Sequence, residues 1–280
     1  MIYVGLAGWG DHESLYPTPN EKNKLPIYAS HFPVVEVDTA FYAIQPEKNS
    51  EKWIRETPDS FQFIVKAYQG MTGHLQRNIP FESWELMFTQ YKQSLQPYIR
   101  ANKLAMVLFQ FPPSFTCNQK SVRYLRWCRQ QMENIPCVLE FRHQSWFAPS
   151  IREETLKFLR EENWIHSICD EPQAGSTSVP LVLQATTTDK TLIRMHGRNV
   201  HGWNNHGQDN WRDVRYLYRY NDEELSEWVR NLSELQKQSK DIYMIFNNNS
   251  GGDAADNAKR IIELLGIEYE DLAPRQLNLF

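Results

Sequence analysis

Two short segments carry charged residues at a spacing of two. Glu140 and Arg142 lie in CVLEFRH (137–143), and Arg194 and His196 lie in LIRMHG (192–197). Side chains two apart on a strand share a face, so as strands these segments turn Glu140 and Arg142 the same way as Val138, and Arg194 and His196 the same way as Leu192. A charge facing a core costs several kcal/mol unless it is paired or opens into a solvated cavity. Similar groups close the other apolar runs: Glu36 with Asp38, Lys66, Gln110, Asp170, and Asn247 with Asn248. Carboxylates (Glu36, Glu140, Asp170) and imidazoles (His143, His196) can move protons, while Lys66, Arg142 and Arg194 can neutralise an anion. Gln110, Asn247 and Asn248 add amides for orienting a ligand, and Trp9, Tyr42, Trp146 and Trp203 add rings that stack on bases or sugars. The chemistry indicated is proton transfer on an anionic ligand. The competing reading is an ion-pair network that closes the structure without reacting.

Eight apolar runs must position these groups: 2–10, 34–42, 60–67, 104–113, 137–143, 164–172, 192–197 and 243–249. Their starts are roughly 34 residues apart, about one βα unit, and a chain of 280 residues suits one eight-unit barrel. The spacing predicts an α/β protein, a single-domain TIM-like (β/α)8 barrel over 1–272, with 273–280 as a C-terminal tail. The polar groups all fall near the C-terminal ends of the runs, where such barrels build their sites. Helices are expected between the runs. The clearest covers 222–238, with Leu225, Trp228, Val229, Leu232 and Leu235 on one face and Asn221 and Glu224 spaced as a capping box. Less regular patterns cover 81–98 and 151–162. The stretch from His196 to about Arg212 reads as a functional loop.

Composition limits the partners. With 30 Lys and Arg against 34 Asp and Glu, the net charge is −4, so polyanion binding must rest on a local patch. Asp11, His12 and Glu13 interrupt any signal-peptide core, and no run approaches a membrane span, so a cytoplasmic protein without a membrane partner is expected. Cys117, Cys128, Cys137 and Cys169 share no C-x-x-C spacing and read as free thiols.

Serine-hydrolase, P-loop and dinucleotide fingerprints are missing from the sequence, and no cofactor is expected. Gly251 and Gly252 precede a helical run, the usual place for a barrel phosphate site, but Asp253 and Asp256 add opposing charge there. A divalent metal among Glu36, Glu140, Asp170 and His143 is the weaker alternative, because Lys66 and the arginines would repel it. His196, His201 and His206 share no helical face and make a poor ligand set.

These motifs together resemble the YecE-like family, a domain-of-unknown-function group. The similar segments are GWG with YP (8–17), VEVDTAFY (35–42), WIRETPDSFQFIVKA (53–67), FQFPPSF (109–115), LEFRHQSW (139–146), RMHG (194–197) and FNNNSGGDAADNA (246–258). The resemblance implies a TIM-like barrel, distantly similar in architecture to sugar isomerases and endonuclease-type barrels. It carries over Glu36, Tyr42, Lys66, Gln110, Glu140, Arg142, His143, Trp146, Arg194, His196, Asn247 and Asn248. Three departures stand out. The first motif is poorer in Trp and Gly, strand two ends in Glu36-Val37-Asp38 rather than Glu-x-Asn, and a Thr-His pair is split as Thr72-Gly73-His74.

The last residues, Gln276, Leu277, Asn278, Leu279 and Phe280, resemble the pentapeptide by which bacterial replication and repair proteins dock on the sliding clamp. As an extended tail, Leu279 and Phe280 would enter an apolar groove while Gln276 fixes the register. A strap packed on the barrel floor is the alternative. The leading expectation is an enzyme, a hydrolase or an isomerase or lyase, that binds a phosphorylated or nucleic-acid ligand and is tethered to the clamp. A metabolic sugar-phosphate isomerase or lyase and a non-enzymatic binding or adaptor protein are the alternatives.

Overall fold

The structure, a computed structural model, describes residues 1–18, 20–75, 80–204 and 214–274. Eight parallel strands close in sequence order: β1 (Ile2–Ala7), β2 (Val34–Val37), β3 (Gln62–Lys66), β4 (Leu104–Gln110), β5 (Cys137–Glu140), β6 (Ile165–Asp170), β7 (Lys190–Met195) and β8 (Asp241–Phe246). The ring shuts where β1 meets β8, with Ile2 opposite Ile242 and Leu6 opposite Phe246. The fold is a single-domain TIM-like (β/α)8 barrel, as the spacing predicts.

The two faces of each strand enter separate cores. Val34, Ile64, Met106, Leu108, Val138, Ile165, Leu192 and Ile245 pack inside the barrel, whereas their neighbours Val35, Phe63, Val107, Leu139, Ile168 and Ile193 pack outward against helices. That partition is the period-two rule acting on strands buried on both faces. At the floor, Tyr3 and Tyr243 stack with ring centres 4.8 Å apart, and the Lys190 ammonium donates to the Ala105 carbonyl at 2.8 Å. Only hydrogen fits at Gly5, where a Cβ would lie 2.1 Å from the Val34 carbonyl oxygen. Inward small and apolar residues thus leave the polar layer one position, the upper end.

The outer helices include Trp84–Arg100, Gln119–Met132, Arg152–Glu161, Asp222–Gln236 and Ala254–Leu265. The helix Asp222–Gln236 begins with the expected box: the Asn221 side chain accepts from the Glu224 amide, and the Glu224 carboxylate accepts from the Asn221 amide. Its Leu225, Trp228, Leu232 and Leu235 are buried, which fixes its inner stripe. Among the described residues no helix is long and apolar enough to cross a membrane. The chain is still held to the barrel at Ala273, whose amide donates to the Ala29 carbonyl. Gln276, Leu277, Leu279 and Phe280 lie outside the described residues, as does His206.

Candidate active site

Inward positions at the strand ends bring Glu36, Lys66, Gln110, Glu140, Arg142, Arg194, His196 and Asn247 to one end of the barrel. Arg194 is their centre. Its Nε and Nη2 donate to both oxygens of Glu36 at 2.9 and 2.6 Å, and its Nη1 donates to Glu140 Oε2 at 2.8 Å. Gln110 Oε1 accepts from the same Nη1 at 3.4 Å. Arg142 then binds the other Glu140 oxygen at 2.5 Å and Glu171 at 3.1 Å. The third guanidinium nitrogen of Arg142 donates to His196 Nε2 at 3.1 Å, and the Asn247 amide meets His196 Nδ1 at 3.0 Å. An arginine only donates, so Nε2 of the neutral imidazole accepts and its proton sits on Nδ1, which requires the Asn247 side chain to turn its carboxamide oxygen, not its NH2, toward the ring. Glu36, Glu140, Arg142, Arg194 and His196 are all buried, whereas Lys66, Asp38, Gln110 and Asn247 above them stay partly open.

Electrostatics divides the two carboxylates that share Arg194. Burial dominates at Glu36: it outweighs the pull of Arg194, is reinforced by Asp38, and pushes the carboxyl up to about 7. Glu140 is as deeply buried, but Arg142, Arg194 and His196 together more than offset that cost and hold it well below the usual carboxylate range. One guanidinium cannot neutralise two carboxylates, and only Glu140 has a second. Glu171 follows Glu36: burial outweighs Arg142 and lifts it to about 7. His196 is kept neutral, first by burial and then by the Arg142 charge. At the rim, Lys66 and Arg194 outweigh burial and hold Asp38 below its ordinary value; Lys66 Nζ lies 3.1 Å from Asp38. Environments that drive paired groups apart in this way are how one site holds both an ionised and a protonated carboxyl near neutral pH.

Four expected site residues lie elsewhere. Asp170 points outward, because Ile165 faces the interior and the parity of β6 runs through Ser167 and Cys169. There it accepts two bonds from Arg198 Nε, one from Arg198 Nη2 at 2.6 Å, and bonds from Tyr220 and Trp228. It anchors the segment after β7 instead of facing the mouth. Asn248 is one residue out of phase with Asn247, so its amide braces the Tyr218 carbonyl and Asn257. His143, next to inward Arg142, turns to Ser145 at 2.8 Å. Trp146 is buried with its ring stacked on Phe141 at 4.1 Å, which leaves no free face for a ligand. Tyr42 stands exposed, and half-buried Trp9 packs edge-on against Trp53.

The structure adds residues that strand-end reading missed. Glu171, the residue after β6, continues the inward phase of Ile165, Ser167 and Cys169, a phase that the pairing of Val138 with Ile165 fixes. Trp203, expected as a ring open to a ligand, is instead buried, with the guanidiniums of Arg142 and Arg215 at 5.5 and 4.0 Å from its ring centre and Tyr216 edge-on to it. His74 packs on Phe41, its Nδ1 lies 2.8 Å from Thr72, and burial with Lys66 and Arg142 lowers it to about 4. Their loops carry no periodicity from which to predict this. Among the described residues, the cluster with suitable spacing for a cation is Glu140, Cys169 and His196, rather than the set containing Asp170 and His143. A metal there would have to displace the guanidiniums that occupy both Glu140 oxygens and His196 Nε2.

A closed parallel barrel with a buried cluster of ionisable side chains at the C-terminal ends of its strands defines a TIM-like (β/α)8 protein. The chain belongs to the family described as "Protein of unknown function DUF72", whose model matches residues 3–278. It is similar to the UPF0759 protein YunF of Bacillus subtilis (strain 168), 63% identical over 283 residues and 100% of both chains. The UPF0759 protein YecE of Escherichia coli (strain K12) is 25% identical over 162 residues, 56% of this chain and 54% of that one. Among solved structures, a DUF72 family protein from Enterococcus faecalis V583 is 36% identical with a TM-score of 0.93, covering 99% of this chain and 100% of its own. A Thermotoga maritima MSB8 member is 30% identical with a TM-score of 0.81, covering 95% and 100%.

Truncating Glu140 leaves two buried guanidiniums short of a partner, so Glu140→Ala should lose about 3–5 kcal/mol in urea unfolding at pH 7. Glu36→Gln should lose less, because the native carboxyl is already half protonated there. Glu36 binds its proton more tightly folded than unfolded, so its contribution to stability falls as pH rises from 4.5 towards 7. The melting temperature of Glu36→Gln should therefore decline less than wild type over that window. Parallel curves, or equal losses for the two variants, would refute the division.

Proposed function

We propose that the barrel mouth is an enzyme active site that binds an anionic ligand, phosphorylated or nucleic acid, and moves a proton through Glu36. The observation that carries this reading is the opposed shift of Glu36 and Glu140 on one guanidinium. A group near 7 serves as base or acid with the least mismatch to neutral pH. Glu140 stays ionised and fixes Arg142 and Arg194, while neutral His196, held by Arg142 and Asn247, can accept or pass a proton. Arg142 and Arg194 are buried on their carboxylates, so direct contact with the anion falls to Lys66, whose ion pair with Asp38 lies at the partly open rim. Gln110 and Asn247 orient the ligand, and Trp9 and Tyr42 border it.

A second reading, a binding protein without turnover, is favoured by the saturation of Glu140, whose two oxygens both hold guanidiniums. Incubation of purified protein with panels of sugar phosphates and phosphorylated nucleosides, followed by NMR, separates the two. Turnover in wild type with a loss of at least about 100-fold in kcat for Glu36→Gln supports catalysis. Lys66→Gln should raise KM. Full activity in Glu36→Gln contradicts the assignment, and binding without turnover in wild type supports the binding protein.

We propose further that residues 276–280 tether the chain to a bacterial sliding clamp, which would bring an acidic protein to DNA by effective concentration rather than by its own field. The support is the Gln276, Leu277, Leu279 and Phe280 pattern. Deletion of the five residues should abolish capture by purified clamp, and capture that survives deletion counts against the tether.

A further inference from the structure

On the β5 and β6 side of the barrel end lies a cleft of about 610 Å³ that the proposed chemistry does not use. Among the described residues no carboxylate lines it, although the chain as a whole is acidic. Its charged group is Arg152, the first residue of the helix Arg152–Glu161. Arg152 Nε is buried and has no hydrogen-bond partner, and its guanidinium pairs with no carboxylate among the described residues. Nε itself is closed off, so an anion in the cleft meets the rest of this half-buried side chain, a permanent cation with no paired carboxylate beside it.

Two further donors line the cleft from other loops. His143 Nδ1 accepts from the Ser145 amide at 3.2 Å, so in the neutral ring the proton is on Nε2, which stays free to donate. The buried Ser178 hydroxyl accepts from the Ala174 amide at 3.1 Å and so keeps its own proton to give. Phe147, Pro149 and Pro180 supply an apolar wall. A guanidinium, an imidazole N–H and a hydroxyl with no competing acid suit a tetrahedral oxyanion, and the wall and volume exceed what a bare anion needs.

We infer that this cleft binds a phosphate monoester, with Arg152, His143 and Ser178 on the phosphoryl oxygens and the organic part against Phe147, Pro149 and Pro180. It is a site separate from Lys66 and Glu36, and it stands whether or not the mouth is catalytic. His143 thereby has a role as a ligand donor instead of a mouth acid.

The test is calorimetric titration of the full chain with phenyl phosphate and with inorganic phosphate. Arg152→Gln removes a side chain at the surface end of a helix and should fold as wild type does; Ser178→Ala is the second variant. Phenyl phosphate should bind wild type more tightly than inorganic phosphate, at least tenfold more weakly in Arg152→Gln and severalfold more weakly in Ser178→Ala. Lys66→Gln should leave this binding within twofold. No binding to wild type, or binding indifferent to both Arg152→Gln and Ser178→Ala, would overturn the inference. Loss in Lys66→Gln alone would place the phosphate at the mouth and also overturn it, while leaving the reading of the mouth intact. Equal affinity for the two ligands would overturn the ester assignment.

Discussion

Everything at the mouth depends on one buried guanidinium shared between two buried carboxylates. Removing such charges from water costs several kcal/mol each, and only close, directional pairing repays it. Arg194 meets Glu36 with two bonds and Glu140 with one, and Arg142 completes Glu140 from the far side. The pairing is asymmetric by construction, since Glu140 has two cations and Glu36 one. That asymmetry, rather than any special property of either glutamate, lets one stay charged while the other titrates near neutrality. The strands supply it by holding β2, β5 and β7 side chains at one height.

The same arrangement explains why aromatic rings gather over arginines. Trp203 lies against Arg142 and Arg215, with Tyr216 against its edge, so these two rings set polarisable surface on the network. A ring face stabilises a cation without offering it a competing carboxylate. It also excludes water, which strengthens every pairing beneath it. Asp170 serves this cover from outside the barrel by fixing Arg198, Tyr220 and Trp228.

Much of this was legible in the residues. Eight runs near 34 residues apart reflect a repeating βα unit, and the spacing of Glu140 from Arg142 and of Arg194 from His196 declared their shared face because Val138 and Leu192 set the phase. The reading failed where phase was ambiguous. WIHSICDEP is buried on both faces, so its alternation has no polar side, and only the pairing of Val138 with Ile165 shows that Glu171 rather than Asp170 turns inward. Asn247 and Asn248 differ by the same single step. Trp146 and His143 follow β5 in a short turn whose geometry no strand parity governs, and Trp203 and His74 reach the mouth through loops.

The central claim is that Glu36 exchanges its proton near neutral pH while Glu140 stays ionised beside it. Carbon-13 NMR of protein labelled at the glutamate side-chain carboxyls, with resonances assigned by their loss in Glu36→Gln and Glu140→Gln, measures both directly. The account predicts a midpoint of about 7 for Glu36 and no titration of Glu140 down to its ordinary value of 4.5. A Glu36 midpoint at or below 4.5 would contradict it.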